Sequence, residues 1–297
     1  MAIATHRCIA IGDINPRLGL CPKTCIRTLP QDETITVIGI SRPMIDHTFQ
    51  MLPSVGKKKE RSIWESGVRT WDEFLSSPDV PGIKSGSKEK DDIIVMQALD
   101  LLDAGDSALL GDLIPKAEHW RMYDRFRDGA AYLDIETDGL SRDSLVTVVT
   151  VHRKSGTTTL TEGIDLDAES LSDALDGAKM LVTFNGSCFD VPVLRNSFPN
   201  VDFDLPHYDL RFASRKVGYR GGLKPLEIEM GISRSDDIED VDGAMAVRLW
   251  HQWERHRDED ALEILREYNR ADTVNLEEIA GRIYRRLVTD YAGYIWE

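Results

Sequence analysis

The sequence predicts an α/β fold: a mixed sheet of three antiparallel strands followed by parallel strands with flanking helices, preceded by a small helical module. Three observations carry this. Strand-like apolar runs at 130–140, 145–153 and 157–161 follow one another with only turn residues between them. From 167 onward helical and strand-like runs alternate. Before 129 the apolar residues recur mainly at helical spacing.

The chain has 297 residues, long enough for about two domains. Hydrophobic residues make up 41% and charged residues 29%, a balance that supports a packed core. The net charge of −15 argues against a chain held to nucleic acid by bulk charge. That charge is uneven. Residues 129–297 hold 19 Lys and Arg against 32 Asp and Glu, a net of −13, so local basic stretches stand out. No run approaches the roughly 18 apolar residues of a membrane span. The opening MAIATHRCIAIGD lacks a secretion signal's basic and apolar regions. Four cysteines do not make a disulfide scaffold, so a reducing, cytoplasmic setting is expected.

Residues 1–43 form an extension with one strand-like run at 35–41. His6, Cys8, Cys21 and Cys25 offer a possible zinc set, although their spacing is not that of paired CxxC knuckles. A loosely ordered extension with free thiols, or a true start at Met44, explains the same residues. Residues 44–128 form the helical module. A short apolar hairpin, LPSVG, precedes the helix KKKERSIWES. Gly67 stops that helix, and Thr70 with Glu73 makes a capping box for TWDEFLS. Two short helices across Gly-containing turns resemble a helix-hairpin-helix element, whose amides hold a phosphate. Lys57, Lys58 and Lys59 add charge there; a solvated helix face is the plainer reading. A loop over 78–92 and a helical run over 93–114 follow, and Gly129 ends the module.

In the strand 130–140, Tyr132, Asp134 and Glu136 share one face because side chains alternate with period two. Two adjacent carboxylates repel one another unless a cation lies between them. Such a pair is common by chance in so acidic a chain; its setting in an apolar strand at the head of a meander raises it. A helix over 167–178 and a strand over 180–184 lead to Asn185-Gly186. The helix that follows carries Asp190 at an inward position, where an unpaired carboxylate is costly. Residues 207–211 form a short last strand, with Asp209 supporting the neighbouring acids. Residues 261–287 form one or two helices, on which Tyr268 and Asp272, four apart, share a face.

Between Asp209 and Glu227 there is no acid. Arg211, Arg215, Lys216, Arg220 and Lys224 lie there, ahead of a helix opened by Gly221-Gly222. This stretch is expected to contact phosphate, with Asn185 nearby, and Tyr208, Phe212 and Tyr219 are candidates to stack bases. The acidic run 235–243 is read as a solvated turn. Met245, Trp250 and Trp253 are read as core.

The order D-x-E on a first strand, N-G-x-x-F-D after a later strand and Y-x-x-x-D on a terminal helix resembles the three motifs of the DEDD (DnaQ-like) exonuclease superfamily. It is similar to the tyrosine-bearing DEDDy branch, and over residues 48–297 to YprB-like, ribonuclease H-like exonucleases. The resemblance implies two Mg²⁺ or Mn²⁺ ions held by Asp134, Glu136, Asp190 and Asp272, with Tyr268 orienting the attacking water. It implies 3′→5′ hydrolysis of single-stranded DNA or RNA with a free 3′ end. Hard divalent ions do favour such oxygen ligands, and a phenol with a pKa near 10 is a poor base. The rivals are an endonuclease using the same acids and a non-catalytic nucleic-acid-binding protein.

Overall fold

The computed structural model describes residues 43–139, 141 and 143–296. The strand expected at 35–41 and the zinc set His6, Cys8, Cys21 and Cys25 lie outside the described residues.

The helical region begins with a 3-10 turn over Met44–His47. Helix α1 (Lys57–Glu65) follows Gly56, and α2 (Trp71–Ser76) follows Thr70. The Glu73 amide donates to the Thr70 hydroxyl at 3.2 Å, and the Thr70 amide donates to the Glu73 carboxylate at 3.0 Å. This is the expected capping box. Gly67 sits at φ +94°, which lets the chain turn out of α1 without a Cβ clash.

Two expectations here are corrected. The loop over 78–92 is shorter, because α3 (Lys88–Ala104) already takes in KEKDD. Glu89 and Asp91 in its first turn favour the positive end of the helix dipole. The single run over 93–114 is two helices. Gly105 at φ +68° ends α3, and Asp106 caps α4 (Ser107–Leu113) by accepting from the Leu109 amide at 3.0 Å. A 3-10 run, Lys116–Met122, leads into α5 (Tyr123–Phe126).

Strands β1 (Ala130–Thr137), β2 (Val146–Arg153) and β3 (Gly156–Thr161) form the antiparallel meander. Helix α6 (Ala168–Leu175) precedes β4 (Met180–Thr183), which pairs parallel with β1. Helix α7 (Asp190–Ser197) precedes β5 (His207–Asp209), parallel to β4. The sheet order is β3-β2-β1-β4-β5. Strand β5 stops at Asp209 rather than 211. The Asp209 carboxylate accepts from the Arg211 amide at 3.0 Å and caps α8 (Leu210–Lys216). Helices α9 (Leu223–Met230), α10 (Gly243–His256) and α11 (Glu259–Ile295) complete the chain.

The terminal helical stretch is one helix of 37 residues, where the sequence left one or two open. Leu265, Leu276, Ile279, Ile283 and Leu287 keep a buried stripe running along it. That continuous burial outweighs the roughly 1 kcal/mol an interior glycine such as Gly281 costs a helix.

The sheet is covered on both faces. Ala131, Leu133 and Ile135 of β1 pack with Leu171 of α6 and Leu194 of α7. On the other side Tyr132, Val182 and Tyr208 join a core with Ile279 and Ile283 of α11. Trp64, Trp71 and Phe74 belong to that same core, so the helical region and the sheet share it. Trp250 and Trp253 are buried between α10 and α11, but Met245, expected there, is 36% exposed at the first turn of α10.

Under α1 lies a buried ion network. Arg121 is fully buried; its two terminal nitrogens each donate to Glu60 at 2.9 Å, and its Nε donates to Glu118 at 2.9 Å. Among the described residues no helix is long and apolar enough to cross a membrane.

Candidate active site

Pairing between β1 and β4 ends at Tyr132 and Val182. Asp134 and Glu136 therefore stand beyond the point where the two parallel strands part. Helix α11 crosses there and brings Tyr268, Asn269 and Asp272. Carboxylate oxygens of Asp134, Glu136 and Asp272 all lie within 4.8 Å of one another.

Asp190 is the first residue of α7 and 4% exposed. Its own amide and that of Ile135 hydrogen-bond to its carboxyl, and its charge reaches both Asp134 and Glu136. The loop that delivers it is tightly held. The Asp209 carboxylate accepts from the amides of Asn185 at 2.9 Å and Ser187 at 3.1 Å. The Gly186 amide donates to Thr183 Oγ1 at 3.0 Å. Asp209 thus acts on the neighbouring acid by fixing this loop. A Cβ on Gly186 would lie 2.5 Å from Thr183 Oγ1. Gly186→Ala is therefore expected to cost about 1–3 kcal/mol, the usual range for overpacking. Urea unfolding measures it; an unchanged midpoint would mean that the loop yields freely.

The electrostatics follow from crowding. Burial raises Asp134 well above the usual carboxylate range, and the charges of Asp190, Asp272 and Glu136 raise it further. Glu136 is raised by burial and by Asp272 and Asp190. Burial pushes Asp190 up to about 7. Asp272 is likewise pushed up to about 7 by burial, against the opposing pull of Arg234. Tyr268 is raised above its ordinary value by burial, then by Asp272, Glu136 and Asp134, so it stays a neutral phenol. Asp134, Glu136 and Asp272, three crowded acids offering only hard oxygen donors, fit a site for divalent cations; Asp190 stands outside that group and acts on Asp134 and Glu136 through its charge.

Two residues at the cluster have no place in the sequence reading. Asn269 is fully buried, and its Nδ2 donates to Asp134 Oδ2 at 2.8 Å. Arg234, in the loop between α9 and α10, lies with Nη2 2.6 Å from Asp272 Oδ1. Its Nε donates to Glu227 at 2.8 Å, and its guanidinium stands 5.3 Å from the Tyr268 ring centre. Asn269 adjoins Tyr268, and helical spacing alone could have placed it facing β1. Arg234 had no signal beyond being the lone base before an acidic run.

That run is a turn with its acids exposed, pinned by buried Ile238 and Val241.

The basic residues divide. Lys224, in the first turn of α9, donates to the Glu239 carbonyl, and its charge helps to lower the pKa of Asp272. Arg211 donates to the Asn185 side chain beside the Asp190 loop. Arg215 and Arg220 are exposed on and after α8, and Arg220 donates to the Arg215 carbonyl at 3.0 Å. Lys216 is exposed but tethered, donating to the Ala117 carbonyl at 2.6 Å and lying 3.5 Å from Glu118 Oε1. Lys57 lies 3.7 Å from that same oxygen, so the start of α1 and the end of α8 meet there. Lys58 is exposed and Lys59 half-buried. Of the three aromatic residues, Phe212 is 44% exposed and Tyr208 is core; Tyr219 is half-buried, 5.9 Å from the Arg286 guanidinium.

A five-stranded mixed sheet in this order, with acids at the tip of its central strand, is a ribonuclease H-like domain. Residues 131–284 match the sequence profile of the RNase H superfamily, and the chain belongs to that superfamily. No curated protein matches the chain. A solved structure described as "apo form of the nuclease" is 24% identical, over 56% of this chain and 76% of its own, with a TM-score of 0.41.

Proposed function

We propose that this protein is a divalent-metal-dependent nuclease of the DEDDy, YprB-like kind, removing nucleotides 3′→5′ from single-stranded DNA or RNA. The observation that carries the reading is the meeting of Asp134 and Glu136 from β1 with Asp272 and Tyr268 from α11, more than a hundred residues away.

Asp134, Glu136, Asp190 and Asp272 would hold two Mg²⁺ or Mn²⁺ ions. Bound there, such ions lower the pKa of an attacking water and stabilise charge developing on the phosphate. The chain's own residues do the remainder. Asn269 fixes the rotamer of Asp134 through its amide. Tyr268, kept protonated by burial and by the carboxylates around it, orients the water by hydrogen bonding and does not take its proton. Lys224, Arg211, Arg215 and Arg220 supply positive charge along the approach, and Lys57 and Lys58 extend it on α1. A groove of about 1310 Å³ beside β5 is lined among others by Ser187, Phe212 and Arg215 but by none of the four acids; it is an approach to the Asp190 loop rather than the reaction site itself.

The test is degradation of oligomers labelled at either end, as DNA and as RNA, with Mg²⁺, Mn²⁺ or EDTA. Stepwise loss from the 3′ end is expected, with circular and 3′-blocked substrates resistant. Cleavage of a circle would favour the endonuclease, and no cleavage under any condition would favour a binding protein.

The raised carboxyl pKa values also predict how metal and pH act together. Asp190 and Asp272 titrate near 7 in the folded chain and near 4 when unfolded. A folded pKa above the unfolded one gives stability that is present at low pH and lost as pH rises through the folded value. Divalent ions bind the deprotonated form and restore it. The rise in Tm on adding millimolar Mg²⁺ should therefore be small at pH 5.5 and several degrees at pH 8. Taking the difference at each pH cancels groups such as His207, pushed down to about 4 by burial. A metal effect that does not grow with pH would refute the carboxylate site.

A further inference from the structure

Arg234 is the one cation in ion-pair contact with the acid cluster among the described residues. Its side chain is 5% exposed, and three groups hold it. Glu227, 1% exposed, accepts from Nε at 2.8 Å and from Nη2 at 2.5 Å. The Tyr268 ring flanks the guanidinium, and Asp272 Oδ1 lies 2.6 Å from Nη2. Glu227 is itself anchored, its Oε1 accepting from the Asn275 amide at 2.8 Å.

The contact with Asp272 is close but is not a well-directed hydrogen bond. Asp272 Oδ1 and Arg234 Nη1 are both buried without a hydrogen-bond partner among the described residues. The directed bonds of the guanidinium go to Glu227; what it gives Asp272 is mainly charge. Such an arrangement is firmly anchored at one carboxylate and exchangeable at the other.

We propose that Arg234 is a resident counter-cation of the cluster, which a divalent ion must displace from Asp272. This rests on the reading of Asp134, Glu136 and Asp272 as a divalent-metal site. Glu227 sets how strongly Arg234 competes. By sharing the guanidinium charge it weakens the hold on Asp272 and lets an ion enter. Arg234 thereby sets the metal concentration at which the Asp272 position fills, and Asp272 keeps a cationic partner when metal is scarce.

A structural strut and a competitor make opposite predictions for Arg234→Met. Mn²⁺ alone is titrated at pH 8 into the full chain and followed by electron paramagnetic resonance, with no substrate present. Arg234→Met should bind Mn²⁺ roughly tenfold more tightly than wild type, since a charge-assisted contact opposing the ion is gone. Glu227→Gln should bind it several-fold more weakly, because Arg234 then pairs with Asp272 alone. A residue that merely supports the loop would weaken binding in both variants, and that result, or no change in either, overturns the proposal. The double variant Glu227→Gln/Arg234→Met removes both charges together and guards against misfolding from an orphaned Glu227; it should also bind more tightly than wild type. If wild type binds no Mn²⁺, the metal site itself is refuted. If wild type binds and Asp134→Asn does not, while the Arg234 and Glu227 variants match wild type, only the counter-cation role fails.

Discussion

Asp134→Asn is expected to lower phosphodiester cleavage by roughly three orders of magnitude or more, while single-strand binding stays close to wild type. Asp134 touches every other member of the cluster electrostatically and accepts from Asn269. The amide is nearly isosteric, so the fold is kept, but one anionic oxygen donor is lost at the centre of the site. Several kcal/mol of charge stabilisation depend on metal held there, and each 1.4 kcal/mol or so is a factor of ten in rate. Removing a half-buried acid that resists ionisation should also leave the variant as stable as wild type, or more so, when no divalent ion is present. Single-turnover cleavage, filter binding and thermal melting read the three quantities. Turnover within tenfold of wild type would remove Asp134 from the chemistry.

Arg121→Met should be the most destabilising single change outside the site, by about 3–5 kcal/mol, because it strands buried charge. Glu60 and Glu118 are each 1% exposed and lose their shared guanidinium. Lys57 and Lys216 still face Glu118, but Glu60 keeps only the Phe49 amide at 2.8 Å and the Gln50 side chain at 2.7 Å. Packing is lost too, since the guanidinium lies 5.2–5.8 Å from the ring centres of Tyr291, Trp120 and Trp64. The pair Arg121→Met/Glu60→Gln should recover a measurable part of the loss. Urea denaturation gives both numbers. A cost below 1 kcal/mol for the single variant would show that the network is dispensable.

The sheet was legible because its signals are local. Alternation in β1, turn residues after it and the meander's spacing each lie within a few residues, and the strands appear within one residue of their expected bounds, except that β1 ends three residues early and β5 two. Caps were legible where their partners are three residues apart, as with Thr70 and Glu73. The errors share a cause. The loop at 78–92, the break at Gly105 and the end of β5 were decided by side-chain caps and by charge at helix starts, which compete closely with the apolar pattern.

At the site, the residues brought together from β1 and α11 were readable as motifs. Their bonding partners were not, because those bonds cross the fold. Asn269 meets Asp134 across 135 positions, and Arg234 reaches Asp272 from a loop whose composition reads as solvent-facing. The basic stretch shows the same limit from the other side. Composition marked Lys216 as a phosphate ligand, and its contact with Glu118, 98 residues earlier, is one no local pattern announces.

The length of α11 has a mechanical meaning. Its first half carries Tyr268 and Asp272; its last turns set Tyr291 and Tyr294 against Trp64 of α1. Asp272 and Tyr291 are 19 residues apart, roughly 29 Å along a straight helix. One unbroken rod therefore fixes the spacing between the acid cluster and the aromatic contact on α1, because no hinge lies between them.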